Sequence, residues 1–367
     1  MKHRWCRPAW SPILAAGLAM TTWVAQAQTP GNVQRDWRQA NEAVGQFPRG
    51  HADVLRWEQS QAAASVGNEA VPAFALNTPA EAVKAAWKVH RDLVTPLARL
   101  GSGNVERIAA GQWGELDPSL QRRIHGVDEI LEVAADTRKA WLSAVAARQT
   151  LKSLEDALTA AEAAAELGRR MVSVGTWSRY QQAQVALAES SARMELKRGR
   201  LAAQQAEQAL LKTMSLDTVH DRVTLPDRLP DAPMAPIGSE QWQQRLAGIQ
   251  GQLPTSESRK VAVSARQAYA VYLAAIDAYR NYREDVLKHR ELIGEETLLR
   301  YNGMLESVWG LLADVGVRSQ AVVATIAAQR DALVAETDLN WVLHGGQPAA
   351  WVSLGGGTQA ASAAAGH

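Results

Sequence analysis

Redox, metal or acid–base chemistry needs side chains that converge, and in these 367 residues the candidates stand apart. The histidines are His3, His51, His90, His125, His220, His289, His344 and His367. They form no i,i+4 pair and no HExxH run, the spacings that put two ligands on one helix face. Cys6 is the only cysteine, so no thiolate site can be built. Met171, Met194, Met214, Met234 and Met304 suit a soft metal such as copper but are not clustered. Met171 and Met304 fall near two separate helix bends, where a methionine-lined ring is one reading and core filling the other. The carboxylates at 155–156, 162, 166, 284–285 and 295–296 have the spacing of solvated helix faces with i,i+4 partners. No Ser, His and Asp set can be assembled, and the triple glycine at 355–357 follows no strand, so it is not a phosphate loop. These patterns give no catalytic residue, no metal site and no cofactor, and an enzyme is not expected.

Two short stretches are more informative. "RRMVSVGTWSRYQQAQ" (169–184) and "LLRYNGMLESVWGLLAD" (298–314) interrupt long helical patterns with a glycine. A turn between two helices needs a residue with positive φ, which glycine adopts freely, so Gly175 and Gly303 are expected to mark two hairpin tips. Val174, Trp177 and Leu305 then stand beside the turns, where apolar side chains can dock a partner's helical turn. For Trp177 and Met304 the alternative is packing within their own hairpin.

Long helices must position these bends. Ile130, Val133, Thr137, Ala140, Ala144, Ala147, Leu151, Leu154, Leu158, Ala161, Ala165 and Gly168 follow steps of three and four, a heptad seam of mostly small residues. The spacing predicts a helix over about 119–173 and a second over 177–214, together a first hairpin at 117–215. Prolines in 216–254 make that stretch a connector. Ala265, Ala268, Tyr272, Ala275, Tyr279, Tyr282 and Val286 form the seam of a third helix from about 255 to 300, and a fourth runs from about 303 to 343, giving a second hairpin at 255–345. Residues 346–367 read as a low-complexity, disordered tail. Residues 1–27 read as a signal peptide: a basic start, an apolar middle and a cut after Ala25-Gln26-Ala27. Residues 28–116 hold short helices and linkers. No other stretch approaches the apolar run of a membrane helix. The net charge of +1 gives no footprint for nucleic acid. The expected fold is all-α: two long antiparallel coiled-coil hairpins, short N-terminal helices and little or no β.

Residues 140–214 and 266–346, with "RYNGML" and "LLAD" as the more specific elements, resemble the two hairpins of TolC-type outer-membrane efflux proteins, in a branch associated with copper and other heavy-metal resistance. The resemblance implies a homotrimer whose six hairpins form an α-helical tube through the periplasm. It implies that the tips meet a periplasmic adaptor (membrane-fusion) protein, which couples the tube to an inner-membrane pump. Carried over, Arg170, Val174, Gly175, Thr176 and Trp177 of one tip, and Arg300, Tyr301, Asn302, Gly303 and Met304 of the other, would shape the tips or contact the adaptor. Asp314 would lie at a tube constriction. Family members also supply four membrane β-strands each. Here the best candidate, "DRVTLPDRL" (221–229), is short and broken by Pro226, so the chain is expected in the periplasm, associated with the outer membrane or soluble as a scaffold.

Overall fold

The computed structural model describes residues 74–117, 119–251 and 255–353. The signal-peptide reading, the fragments at 28–60 and the tail from 354 onward lie outside these residues. Prolines set the broad plan. None occurs between Pro118 and Pro226 or between Pro254 and Pro348, and each proline-free run folds as a pair of long helices.

In the first run, α5 spans Val127–Ser173 and α6 spans Arg179–Thr213. With 47 residues, α5 is roughly 70 Å long. The pair is antiparallel, as the partners along it show: Arg193 pairs with Glu162 at 3.4 Å, and Arg200 with Glu155 at 3.0 Å. Gly199 lets α6 approach α5 closely, because a Cβ there would lie 2.6 Å from Leu154. The expected helix start near 119 is corrected. Residues 120–123 form a single turn, α4, and the chain breaks before α5 at Gly126, whose φ is +89°. A Cβ at that glycine would also meet Pro96 at 2.8 Å, so the kink and the contact both select glycine.

The second run holds α8 (Thr255–Asn281), a π-helical turn (Tyr282–Val286), α9 (Leu287–Asn302) and α10 (Val308–Val342). The π turn is an addition to the expected continuous third helix. It falls on Tyr282 and Val286, the last two residues of that helix's seam. α5 packs between α6 and α10, and α10 packs in turn against α8 and α9. The layer therefore runs α6, α5, α10, then α8 with α9, leaving α6 and α8–α9 as its two outer edges. Against expectation, α10 is long and apolar enough to cross a membrane. Of its most apolar stretch 22% is buried, while Ala332, Leu333, Ala335 and Leu339 in its second half pack in the main cluster.

Short elements cap one end of the hairpins. α1 (Pro79–Val89) starts with Thr78 as N-cap and proline at its first position. It is followed by α2 (Val94–Leu100), α3 (Ser102–Ala110) and α4 (Leu120–Arg123). Trp87, Trp113, Leu93, Leu100 and Ile108 bury themselves against Ile130, Leu131 and Trp341. Three buried indole N–H groups are satisfied: Trp87 donates to the Ile130 carbonyl, Trp113 to Ile108 and Trp141 to Leu76. Strands β1 (Phe74–Ala75) and β2 (Val223–Thr224) pair in parallel over two residues. β2 lies within the stretch that read as the best strand candidate. α7 (Ser239–Gln250) packs on α8. Trp351 and Val352, in the stretch expected to be disordered, are half-buried against the main cluster.

The capped end also buries charge. Lys139 of α5 lies 3.1 Å from Asp136 and 3.2 Å from the buried Asp338 of α10, and 4.8 Å from the centre of the Trp341 ring. Burial raises the pKa of Asp338 above the usual carboxylate range, and the nearby Lys139 works against the rise. Burial likewise raises Glu336, opposed by Arg138 and Arg245. A carboxyl with a raised folded pKa holds its proton more tightly when folded, so its contribution to stability falls as pH rises through that range. Glu336→Gln is therefore expected to be at least as stable as the parent at pH 7, with the advantage vanishing toward about pH 4. Denaturant titrations across that interval check this; an advantage that grows on acidification contradicts it.

Candidate functional site at the hairpin tips

The two bends are built to the same plan. α5 ends when Val174 N–H donates to Arg170, Gly175 to Val172, and both Thr176 and Trp177 to the Met171 carbonyl. α9 ends when Gly303 donates to Leu299, Met304 to Tyr301, and both Leu305 and Glu306 to the Arg300 carbonyl. Each turn then passes to a serine N-cap. Ser178 Oγ accepts from Gln181 N–H at 3.3 Å, and Gln181 returns a bond to Ser178 N–H. Ser307 Oγ accepts from Gly310 N–H at 3.1 Å.

Matching these bonds sets Val174 against Gly303, Gly175 against Met304, and Ser178 against Ser307. This corrects one expectation. Gly175 has φ +78°, but Gly303 has φ −80°, and Met304 takes the left-handed position with φ +58°. The two glycines are one step out of register, because the hydrogen-bond pattern at the helix end, not the nearest glycine, decides which residue must turn left-handed. A side chain there costs about 1–2 kcal/mol. No atom lies within 4 Å of a Cβ placed on Gly175, so the penalty at that site is purely conformational. Gly175→Ala is expected to lose about 1 kcal/mol, and Met304→Gly to lose nothing or gain up to ~1 kcal/mol, both read by chemical denaturation. A loss at Met304→Gly equal to that of Gly175→Ala contradicts the equivalence.

At the bends the apolar side chains stand in solvent: Met304 is 94% exposed, with Leu305 at 74% and Val174 at 72%. Thr176 turns back to bond the Met171 carbonyl. Tyr301 and Asn302 are exposed on the last turn of α9. Basic groups surround the apolar ones. Arg170, itself largely exposed, pairs with Glu166 at 2.8 Å, and the hydrogen bonds from Arg170 and Arg169 hold Glu166 below the usual carboxylate range. Arg179 and Arg300 are exposed beside them.

Trp177 does not sit with the exposed group. Half-buried, its ring meets that of Trp309 on the other hairpin, with centres 4.0 Å apart and planes tilted by 31°, so it does not pack only within its own hairpin. Asp314 lies along α10, where its carboxylate oxygen would be 3.2 Å from a Cβ on Gly294 of α9. Met171 is half-buried, so the two methionines near the bends differ in setting. Among the described residues no group of three or more His, Cys, Asp or Glu side chains is placed to hold a metal ion.

Trp309 and the outer face of α6 are functional candidates that sequence reading passed over. On that face Tyr180, Leu187, Met194 and Leu201 recur every seventh residue, and all are exposed. On the opposite edge Leu292 and Leu299 of α9 are exposed at the same interval. The signal was present as a second heptad stripe on each helix, but spacing alone does not tell a buried stripe from an exposed one.

No family model matches the chain, and no curated protein does. The solved structures it is similar to include outer-membrane proteins. Against the CmeC outer-membrane channel of Campylobacter jejuni it has 14% identity and a TM-score of 0.46, over 65% of this chain and 67% of that one. Against VceC, an outer-membrane protein of Vibrio cholerae, the values are 14% and 0.46, over 65% and 75%. Against CusC, a protein that forms a transmembrane channel, they are 11% and 0.47, over 73% and 92%.

Proposed function

We propose that this chain is a TolC-like efflux component of the bacterial envelope. In this reading it forms, or docks to, a periplasmic helical duct that carries small molecules or metal ions, and it works with a periplasmic adaptor and, through it, an inner-membrane pump. It does no chemistry of its own. The observation that carries the reading is the pair of bends, each an exposed apolar turn rimmed by arginines at the free end of a long hairpin. Exposed apolar patches rimmed by charge mark interaction surfaces. A basic rim also complements the carbonyl-rich, partly negative C-terminal end of a partner helix.

The two outer edges support self-assembly, as a homotrimer in this reading. α6 and α9 each carry an exposed heptad stripe that a lone subunit leaves uncovered, and a ring of copies would set one edge against the other.

Tyr301→p-benzoylphenylalanine tests the docking. The replacement is close in shape, and Tyr301 is exposed at the tip. Ultraviolet irradiation of cells is expected to give an adduct with the mass of this chain plus a membrane-fusion adaptor; adducts with unrelated proteins, or none, contradict the reading.

A second reading, a soluble periplasmic scaffold that uses the hairpins only for binding, is favoured by one observation. The strands among the described residues are two residues long, whereas a membrane strand needs ~9–11. Release by osmotic shock would favour the scaffold; a requirement for detergent, with conductance in lipid bilayers, would favour the duct.

A further inference from the structure

Toward the bends the two hairpins share little bulk. The Ser319 hydroxyl on α10 donates to the Ser153 carbonyl on α5, a side-chain link well above the tips. Below it, Ala161 and Ala164 of α5, Ala188 of α6, and Ala313 and Gly316 of α10 line a groove of about 350 Å³. Val185, Leu312 and Val317 line it as well, and the space left unfilled between the hairpins forfeits dispersion contacts there. Trp309, whose ring meets that of Trp177, lines the tip end of this groove.

Space for the stack is made locally. A Cβ at Gly168 would lie 3.3 Å from the Trp177 ring and 2.9 Å from Val185. With glycine there, the indole lies down on α5 and reaches the other hairpin. Trp309 belongs to the first turn of α10, two residues after the Ser307 cap that ends the second bend. Each indole is thus rigidly attached to one tip.

From this geometry we propose that Trp177 and Trp309 form a clasp joining the two bends into one docking surface, and that Trp309 is a positioning residue for partner binding. The role of Trp309 rests on the docking reading above. A partner then meets Val174 on one tip and Met304 with Leu305 on the other at a fixed separation, and reads both together. Held rigidly, the two patches bind without ordering each other first. A partner with a paired-helix end, presenting two turns at once, fits such a surface.

The test uses the full chain with Cys6→Ser and nitroxides at Ser173→Cys and Asn302→Cys, the last helical residues before each bend, diluted with unlabelled chain. Electron–electron distance measurement is expected to give one narrow peak. Trp309→Ala should broaden it at least about twofold and lower the Tyr301 adaptor adduct about tenfold. Trp309→Phe, which keeps a ring, should restore both to within about twofold. Circular dichroism confirms that each variant keeps its helix. An unchanged width in Trp309→Ala overturns the clasp. A broadened peak with a full adduct overturns the positioning role while leaving docking intact. No adduct in the parent removes docking and the positioning role, and the peak width still decides the clasp.

Discussion

Met194→Glu combined with Leu201→Glu on α6 is expected to leave the helical content unchanged and to abolish self-association. Met194 is 48% exposed and Leu201 is 54% exposed, so neither supports the fold of a single chain. Surface changes away from caps and cores usually move stability by less than about 0.5 kcal/mol. The consequence falls on assembly. Within one chain, Glu162–Arg193 fixes the level of α6 against α5, Ser153–Ser319 that of α5 against α10, and Gly294–Asp314 that of α10 against α9. Carried across the layer, these pairs set Met194 level with Leu299 and Leu201 level with Leu292, to within about one helical turn. Copies related by a rotation about the tube axis keep those levels, so the two stripes meet. A central apolar anchor is worth about 2 kcal/mol or more, and a charge in its place also pays desolvation. Two such changes should raise the dissociation constant at least about 100-fold. Sedimentation velocity reads this directly. A variant that assembles as the parent does would show that α6 is not an assembly edge.

Met304→Asp with Leu305→Asp is expected to remove the adaptor adduct formed from Tyr301. Both side chains are exposed, and Asp is among the residues that enter the left-handed region most readily, so the turn at 304 survives the change. Two apolar anchors are replaced by carboxylates on a tip that also exposes Arg300. Partner groups that meet apolar side chains in the parent would face desolvated charge in the variant. The loss should be about 30-fold per site on the hot-spot scale, and near-complete for the pair. Val174→Asp on the other tip should act in the same direction. Adduct yields from irradiated cells, normalised to the amount of chain, provide the measure. A yield within about twofold of the parent would place the partner elsewhere on the hairpins.

Much of the layout is legible in the residues because it depends on strong, local rules. Proline-free runs become long helices, and Gly175 turns one of them back on itself. The seam residues Ala265, Ala268, Tyr272, Ala275 and Tyr279 are buried as their spacing predicts. The α5 seam is less clean. Over 127–146 that helix is enclosed by α1, α6 and α10, so Trp141, Leu142 and Val145 are buried along with Ile130, Thr137 and Ala144 of the seam, while Val133 and Ala140 are half-buried and the part nearer the tip buries few residues. A heptad pattern reports the closest neighbour and is blind to how many neighbours surround a helix.

The details that sequence reading missed are those fixed by long-range partners. Gly303 looked like the turn residue, but the bond from Leu305 to the Arg300 carbonyl passes the left-handed position to Met304. Trp309 carried no sign that its ring would meet Trp177, because the two lie on different hairpins. The break at Gly126 depends on Pro96 from a separate helix. The π turn at Tyr282–Val286 has no composition signal, since it inserts no breaker. For the site, the bends and most exposed tip residues were in view from the start; the clasp and the outer stripes needed coordinates.

The duct depends on whether the outer stripe of α6 in one chain meets α9 in the next. Met194→Cys with Leu299→Cys, in a chain carrying Cys6→Ser, places one thiol on each edge and no other, because Cys6 is the sole native cysteine. Treatment with a short bifunctional maleimide should yield a closed three-chain species on a denaturing gel, and either cysteine alone should give no species above two chains. Chains that remain single in the double variant, at concentrations where the parent assembles, would contradict the account.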